Sequence, residues 1–192
     1  PLLLRGARQV GKSSSVRHLA KQFDNFVEIN FERKPAYLEI FKGDRDAKHI
    51  VEMIKSITGE PIVPGKTLLF FDEIQMCQEA ISSLRFFWED MPGLHVIAAG
   101  SLLEFALSEI PTFGVGRIHS MFMYPMSFDE FLNALGMFSL QKYKREASPE
   151  KPLLSALHEQ LVSLFRTYLM VGGMPESVST WVDTHSYVEC QA

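Results

Sequence analysis

The chain has 192 residues, 19 Lys and Arg against 23 Asp and Glu, a formal charge of −4 and a hydrophobic share of 46%. This balance excludes a long disordered tail, a collagen-like repeat and a disulfide scaffold. Its mild acidity argues against a protein that coats nucleic acid by charge alone.

In chain order, Leu2-Leu3-Leu4 opens as a short buried strand. Val16, Leu19, Ala20 and Phe23 then recur with helical spacing. Residues 26–31 alternate as a strand does, and Ile50, Met53, Ile54 and Ile57 mark a second helical face. Thr67 to Phe71 is a dense apolar run between Pro64-Gly65 and two acids. Ile81, Leu84, Trp88 and Met91 predict a third helix stopped by Pro92-Gly93. His95 to Ala99 and Ile118 to Tyr124 read as further strands. Such alternation predicts a parallel α/β sheet with helices on both faces, whose ligands bind at the carboxyl ends of the strands.

After Pro125 the pattern is helical only. Ser127 and Glu130 have capping-box spacing, with Met126 and Phe131 placed as a hydrophobic staple. Residues 142–152, charged and proline-containing, read as a loop. Leu157, Leu161, Leu164, Phe165 and Tyr168 predict a helix ended by Gly172-Gly173, and Pro175 opens a last short one. We therefore expect an α/β core over residues 1–124 and a helical region over 125–192. The Pro1 start, directly before a buried strand, and the Gln191-Ala192 end read as those of a fragment of a longer protein. Cys77 and Cys190 show no metal or redox spacing. No apolar run approaches the ~18 residues that span a bilayer, and no signal peptide is visible. A reducing, cytoplasmic setting without membrane contact is the expectation.

Gly6-Ala7-Arg8-Gln9-Val10-Gly11-Lys12-Ser13 matches G-x-x-x-x-G-K-[ST] at every fixed position. Triphosphate oxygens need several donors at close range. Gly6 and Gly11 let the backbone approach them, and the loop N–H groups with the following helix start supply partial positive charge. The stretch Gly6, Ala7, Arg8, Gln9, Val10, Gly11, Lys12, Ser13 and Ser14 is therefore the expected nucleotide-binding segment. Arg8 and Gln9 occupy variable positions with a solvated or structural role. Lys12 should reach the β- and γ-phosphates of ATP, and the Ser13 hydroxyl should ligate Mg²⁺. Asp72 and Glu73 follow a buried run directly. Asp72 is placed to hold Mg²⁺, and Glu73 to polarise the attacking water as general base. Gln75 either faces this site or lies on the surface.

Taken together these residues resemble an AAA+ ATPase. They are similar in particular to predicted bacterial and archaeal ATPases with an AAA-type core and a C-terminal domain of unknown function. The resemblance rests on Arg5 to Ser13, Phe71-Asp72-Glu73-Ile74-Gln75, Ala99-Gly100-Ser101, Gly116-Arg117, Pro125 to Phe131 and Gly172-Gly173-Met174-Pro175-Glu176. It implies a five-stranded parallel sheet in the order 5-1-4-3-2 followed by a helical lid. It also implies that Ser101 is a polar sensor at the end of the fourth strand. Ser101 and Glu104 equally have capping-box spacing, and both roles stay open. Arg117 falls where the family's arginine finger arises, acting on a neighbouring subunit's nucleotide in a homo-oligomer. The alternative is an exposed arginine on a glycine turn. Arg166 is the nearest match for a second sensor arginine, against a solvated charge.

The six histidines show no i, i+4 pair and no partner cysteine, so zinc is not expected. Neither a G-x-S-x-G elbow nor a G-x-G-x-x-G loop occurs. Lys142, Lys144 and Arg145 around Tyr143 form a small basic cluster that either touches nucleic acid or is solvated. The leading expectation is a Mg²⁺-dependent ATPase that couples nucleotide state to an attached or partner module, protein or nucleic acid, of unstated identity. A nucleotide-gated binding switch with slow turnover is the second, and a small-molecule phosphotransferase the third.

Overall fold

The computed structural model describes residues 1–43, 46–101, 103 and 116–190. Glu104, the second half of the expected capping box with Ser101, lies outside the described residues. The chain divides into two compact units, Pro1–Met123 and Tyr124–Ala192.

In the first unit, β1 (Leu2–Arg5), β2 (Asn25–Asn30), β3 (Thr67–Asp72), β4 (His95–Ala99) and β5 (His119–Phe122) form one sheet. Every neighbouring pair is parallel. The order is β2-β3-β4-β1-β5, which reads 5-1-4-3-2 from the opposite edge. Strand period 2 sends successive side chains to opposite faces, and here both faces are apolar. Leu3, Leu69, Phe71, Val96 and Ala98 face the buried sides of α2 (Ala47–Thr58) and α3 (Gln78–Asp90). Leu4, Leu68, Phe70, Ile97 and Ala99 pack with Val16 and Ala20 of α1 (Lys12–Ala20). Helices therefore cover both faces of the inner strands, which is why β3 is buried at all six positions and reads as a continuous apolar run, whereas the edge strand β5 is exposed at all four.

Phe71 is the hinge of the larger cluster. Its ring lies 5.5 Å from Phe41, 5.6 Å from Phe87 and 6.2 Å from Phe31. Phe41 arrives on a 3₁₀ turn (Pro35–Phe41) that periodicity gave no sign of. Two helical faces are rotated from the expected ones. In α2 the buried residues are Ala47, Ile50, Val51 and Ile54, whereas Met53 and Ile57 are exposed. In α3 Phe87 is buried and Trp88 half-exposed. Each stripe was read from apolar residues that the sheet does not reach. Among the described residues no helix is long and apolar enough to cross a membrane.

The second unit is helical: α4 (Phe128–Ala134), α5 (Phe138–Glu146), α6 (Ser155–Val171), α7 (Pro175–Thr184) and α8 (Tyr187–Cys190). The capping box at α4 is complete, with the Ser127 hydroxyl accepting from Glu130 N–H and the Glu130 carboxylate accepting from Ser127 N–H. Met126 and Phe131 share one cluster with Val171 and Val178. The expected loop over 142–152 is corrected to 147–152, because α5 runs to Glu146. Leu140 and Gln141 are buried there, and Asp129 accepts Lys144 Nζ at 2.8 Å, so two of the cluster's charges face α4.

Two outcomes test this packing. Phe71→Ala should cost about 3–5 kcal/mol in a urea unfolding experiment, since it empties the centre of an aromatic cluster. Burial pushes the Cys77 thiol up to about 11. A thiol reagent at pH 8 should therefore modify one cysteine of the folded chain, the half-buried Cys190, and both after denaturation.

Candidate functional site

Parallel register brings four strand ends to one edge. Asn30 lies beside Asp72, Asp72 beside Ala99, and Ala99 beside Leu4. The Gly6–Gly11 loop leaves β1 at this edge, and Gly100-Ser101 leaves β4 between that loop and Asp72-Glu73.

The loop is shaped by positions that side chains disfavour. Gly6 has φ +139°, and a Cβ there would sit 2.1 Å from the Met123 carbonyl oxygen. Gln9 (φ 65°) and Gly11 (φ 93°) are also left-handed. Val10, 1% exposed, anchors the loop, while Ala7, Arg8 and Gln9 are exposed. Arg8 lies 3.5 Å from Glu32 across solvent, in keeping with a peripheral role. Gly11 begins α1 without a side-chain cap, and no acid occupies the first turn. The amino-terminal dipole of α1 is thus not offset by a carboxylate of its own. Ser13 is half-buried and Ser14 exposed on that turn.

The Lys12 ammonium is buried and donates to the carbonyl oxygens of Gly6 (2.8 Å) and Ala7 (2.6 Å). Burial lowers its pKa, and the charges of Glu73 and Asp72 oppose that shift. Asp72 is only 4% exposed and fully partnered. Its Oδ1 accepts the Ser13 hydroxyl at 2.8 Å, and its Oδ2 accepts Asn30 Nδ2 at 3.0 Å. Arg17 Nη2 stands 3.7 Å from Oδ2 while its guanidinium grips Glu28 through two bonds. The Glu28 hydrogen bond chiefly raises the Arg17 pKa. A hydroxyl and a carboxylate in contact are the hard oxygen donors that suit a small divalent cation whose other positions go to water and phosphate. Among the described residues no group of three His, Cys, Asp or Glu is placed to hold a metal.

Lys12, Ser13 and Asp72 are thus brought together with Glu73 next in chain. Ser101 is half-buried just beyond β4. Arg117 is not brought to them. It precedes β5, whose first residue His119 pairs with Leu2, so it lies at the amino edge of the sheet. There its Nε donates to Glu89 at 2.8 Å. Arg166 is exposed on α6. Sequence reasoning missed Asn30 and Arg17. The only signal for Asn30 was a polar residue ending the strand beside β3, which has meaning only once the pairing is known.

Residues 1–132 match the family described as AAA domain. The chain belongs to that family. The assignment supports nucleotide binding and ATPase chemistry for this AAA domain. Two solved structures are similar to it. The Walker-type ATPase PABY2304 of Pyrococcus abyssi matches with a TM-score of 0.53 at 16% identity, covering 100% of this chain and 65% of that one. PCH-2 of C. elegans matches with a TM-score of 0.52 at 14% identity, covering 98% and 57%. At such identities the likeness is one of fold. The chain spans less than two-thirds of the length of either protein. No curated protein matches the sequence.

Asn30→Asp should destabilise the AAA domain by about 1–3 kcal/mol at neutral pH, because it sets a second carboxylate against a nearly buried one and removes its donor. Unfolding at low and high salt checks this: the loss should persist in high salt, since a buried pair is poorly screened.

Proposed function

We propose that this AAA domain binds ATP with Mg²⁺ and hydrolyses it, coupling nucleotide state to an attached or partner module. The observation that carries the reading is the 2.8 Å contact between the Ser13 hydroxyl and Asp72, flanked by Lys12 and Glu73. Ser13 and Asp72 would hold Mg²⁺, which when bound neutralises charge on the phosphate oxygens. The N–H groups of Gly6 to Ser14 cradle the phosphates, and Lys12 exchanges its two loop carbonyls for phosphate oxygens. Glu73 takes a proton from a water whose oxygen bonds to the γ-phosphorus while the bond to the β-phosphate oxygen breaks, giving ADP and phosphate. Ser101 orients that water or contacts the γ-phosphate.

Arg117 serves the nucleotide of a second copy, so the active form is a homo-oligomer. Its position at the amino edge supports action in trans over action within its own site. For that it must leave Glu89. Residues 1–124 act as the core and 125–192 as a lid.

Phosphate release from ATP by the full chain, measured across protein concentration, tests the scheme. Turnover should rise with concentration. It should fall below detection in Lys12→Ala, by about 10²–10⁴-fold in Glu73→Gln and by about 10³–10⁵-fold in Arg117→Ala. Tight nucleotide binding with negligible release at every concentration would favour the nucleotide-gated switch instead.

A further inference from the structure

Glu73 has an unusual backbone for its residue type. Its φ of 53° and ψ of 43° are left-handed, a region that non-glycine residues rarely enter and that clusters at functional sites. The turn sends the chain straight into a 3₁₀ turn (Ile74–Met76), with Ile74 fully buried as its anchor. Two residues on, Gln75 is folded back so that its Nε2 donates to Glu73 Oε2 at 2.6 Å. This is a charge-assisted bond to the carboxylate placed to act as base.

The amide has one workable orientation. Turning it over would set two oxygens 2.6 Å apart, so Nε2 faces Glu73 and Oε1 faces the other way. Oε1 is buried and has no hydrogen-bond partner among the described residues. It occupies a slot at the end of β4, where a Cβ on residue 100 would lie 2.2 Å from it. Gly100 leaves that slot open. A buried acceptor left unmatched is rare in native proteins and calls for an explanation. Here the bond to Glu73 explains it, because that bond fixes the amide in the one orientation that leaves Oε1 unmatched.

We infer that Gln75 is a positioning residue for hydrolysis, holding the Glu73 carboxylate in register through a slot that only glycine at position 100 provides. The inference rests on the reading of Glu73 as general base. It adds that base placement depends on the β4 terminus as well as on β3. Gln75 touches no reacting atom, so its removal should slow the chemical step and leave ATP affinity alone.

Steady-state phosphate release and fluorescent ATP-analogue binding on the full chain test this, with melting curves to establish that each variant folds. Gln75→Met keeps the side chain's length and lacks the N–H. It should lower kcat by about 10-fold to 100-fold, the scale for losing an orienting partner, with KM for ATP within about twofold. Gly100→Ala should lower kcat similarly by displacing the amide. Gln75→Ala removes the displaced atom, so Gly100→Ala added to it should cost little more. A kcat within twofold of the parent in both Gln75→Met and Gln75→Ala, with turnover lost in Glu73→Gln, overturns the inference alone. A loss confined to KM or melting temperature overturns it as well, by making Gln75 a packing residue. Turnover retained in Glu73→Gln overturns the reading of Glu73 as base and the inference with it.

Discussion

A carboxylate 4% exposed at the end of an entirely buried strand is the constraint around which this site is arranged. An ionised group in such a place is tolerated only if its lone pairs are matched. Asp72 meets that condition with a hydroxyl from the start of α1 and an amide from β2, while the Arg17 guanidinium, one turn further along α1 and held by Glu28, stands 3.7 Å away. The partners dictate geometry. For Ser13 to reach Oδ1, α1 must begin immediately after the loop, and for Asn30 to reach Oδ2, β2 must end level with β3. The aromatic cluster about Phe71 holds the strand one residue before the carboxylate and so sets how far Asp72 projects.

Much of this was legible because a parallel sheet covered on both faces writes itself plainly. The runs at Leu2–Leu4, Thr67–Phe71 and His95–Ala99 lie within strands, and Gly6 to Ser13 announces its loop by fixed spacing. Helix orientation was less legible. An apolar stripe names the residues able to be buried, and the sheet selects among them, so Val51 and Phe87 displaced Met53 and Trp88. The segment around Lys142 was misread for another reason. Its charges look solvated one at a time, whereas Asp129 on the preceding helix pairs with Lys144 and with the still exposed Arg145, and so ties the segment to α4.

The partners of the site residues were the least legible part. Lys12, Ser13, Asp72 and Glu73 stand in short local motifs, so a pattern singles them out, and the structure brings them together. Asn30 and Arg17 sit at spacings dictated by strand pairing and by one helical turn, and no local pattern encodes either. Arg117 shows the converse. A family likeness singles it out, yet the carboxylate it pairs with is Glu89, on the opposite edge from the phosphate loop. A guanidinium bound in this way is pre-oriented, and any second acceptor has to compete with an ion pair already formed.

The contact between Gly6 and the Met123 carbonyl has a consequence for how such sequences evolve. The glycine is required by the β1–β5 packing as well as by any phosphate, since no side chain fits beneath that carbonyl. A descendant that had lost all nucleotide chemistry would still be selected to keep it. Across related chains, then, retention of this glycine records that the sheet is intact. No backbone clash dictates Lys12 or Glu73, whose structural contacts are hydrogen bonds alone, so their identity is the better record of whether the chemistry survives.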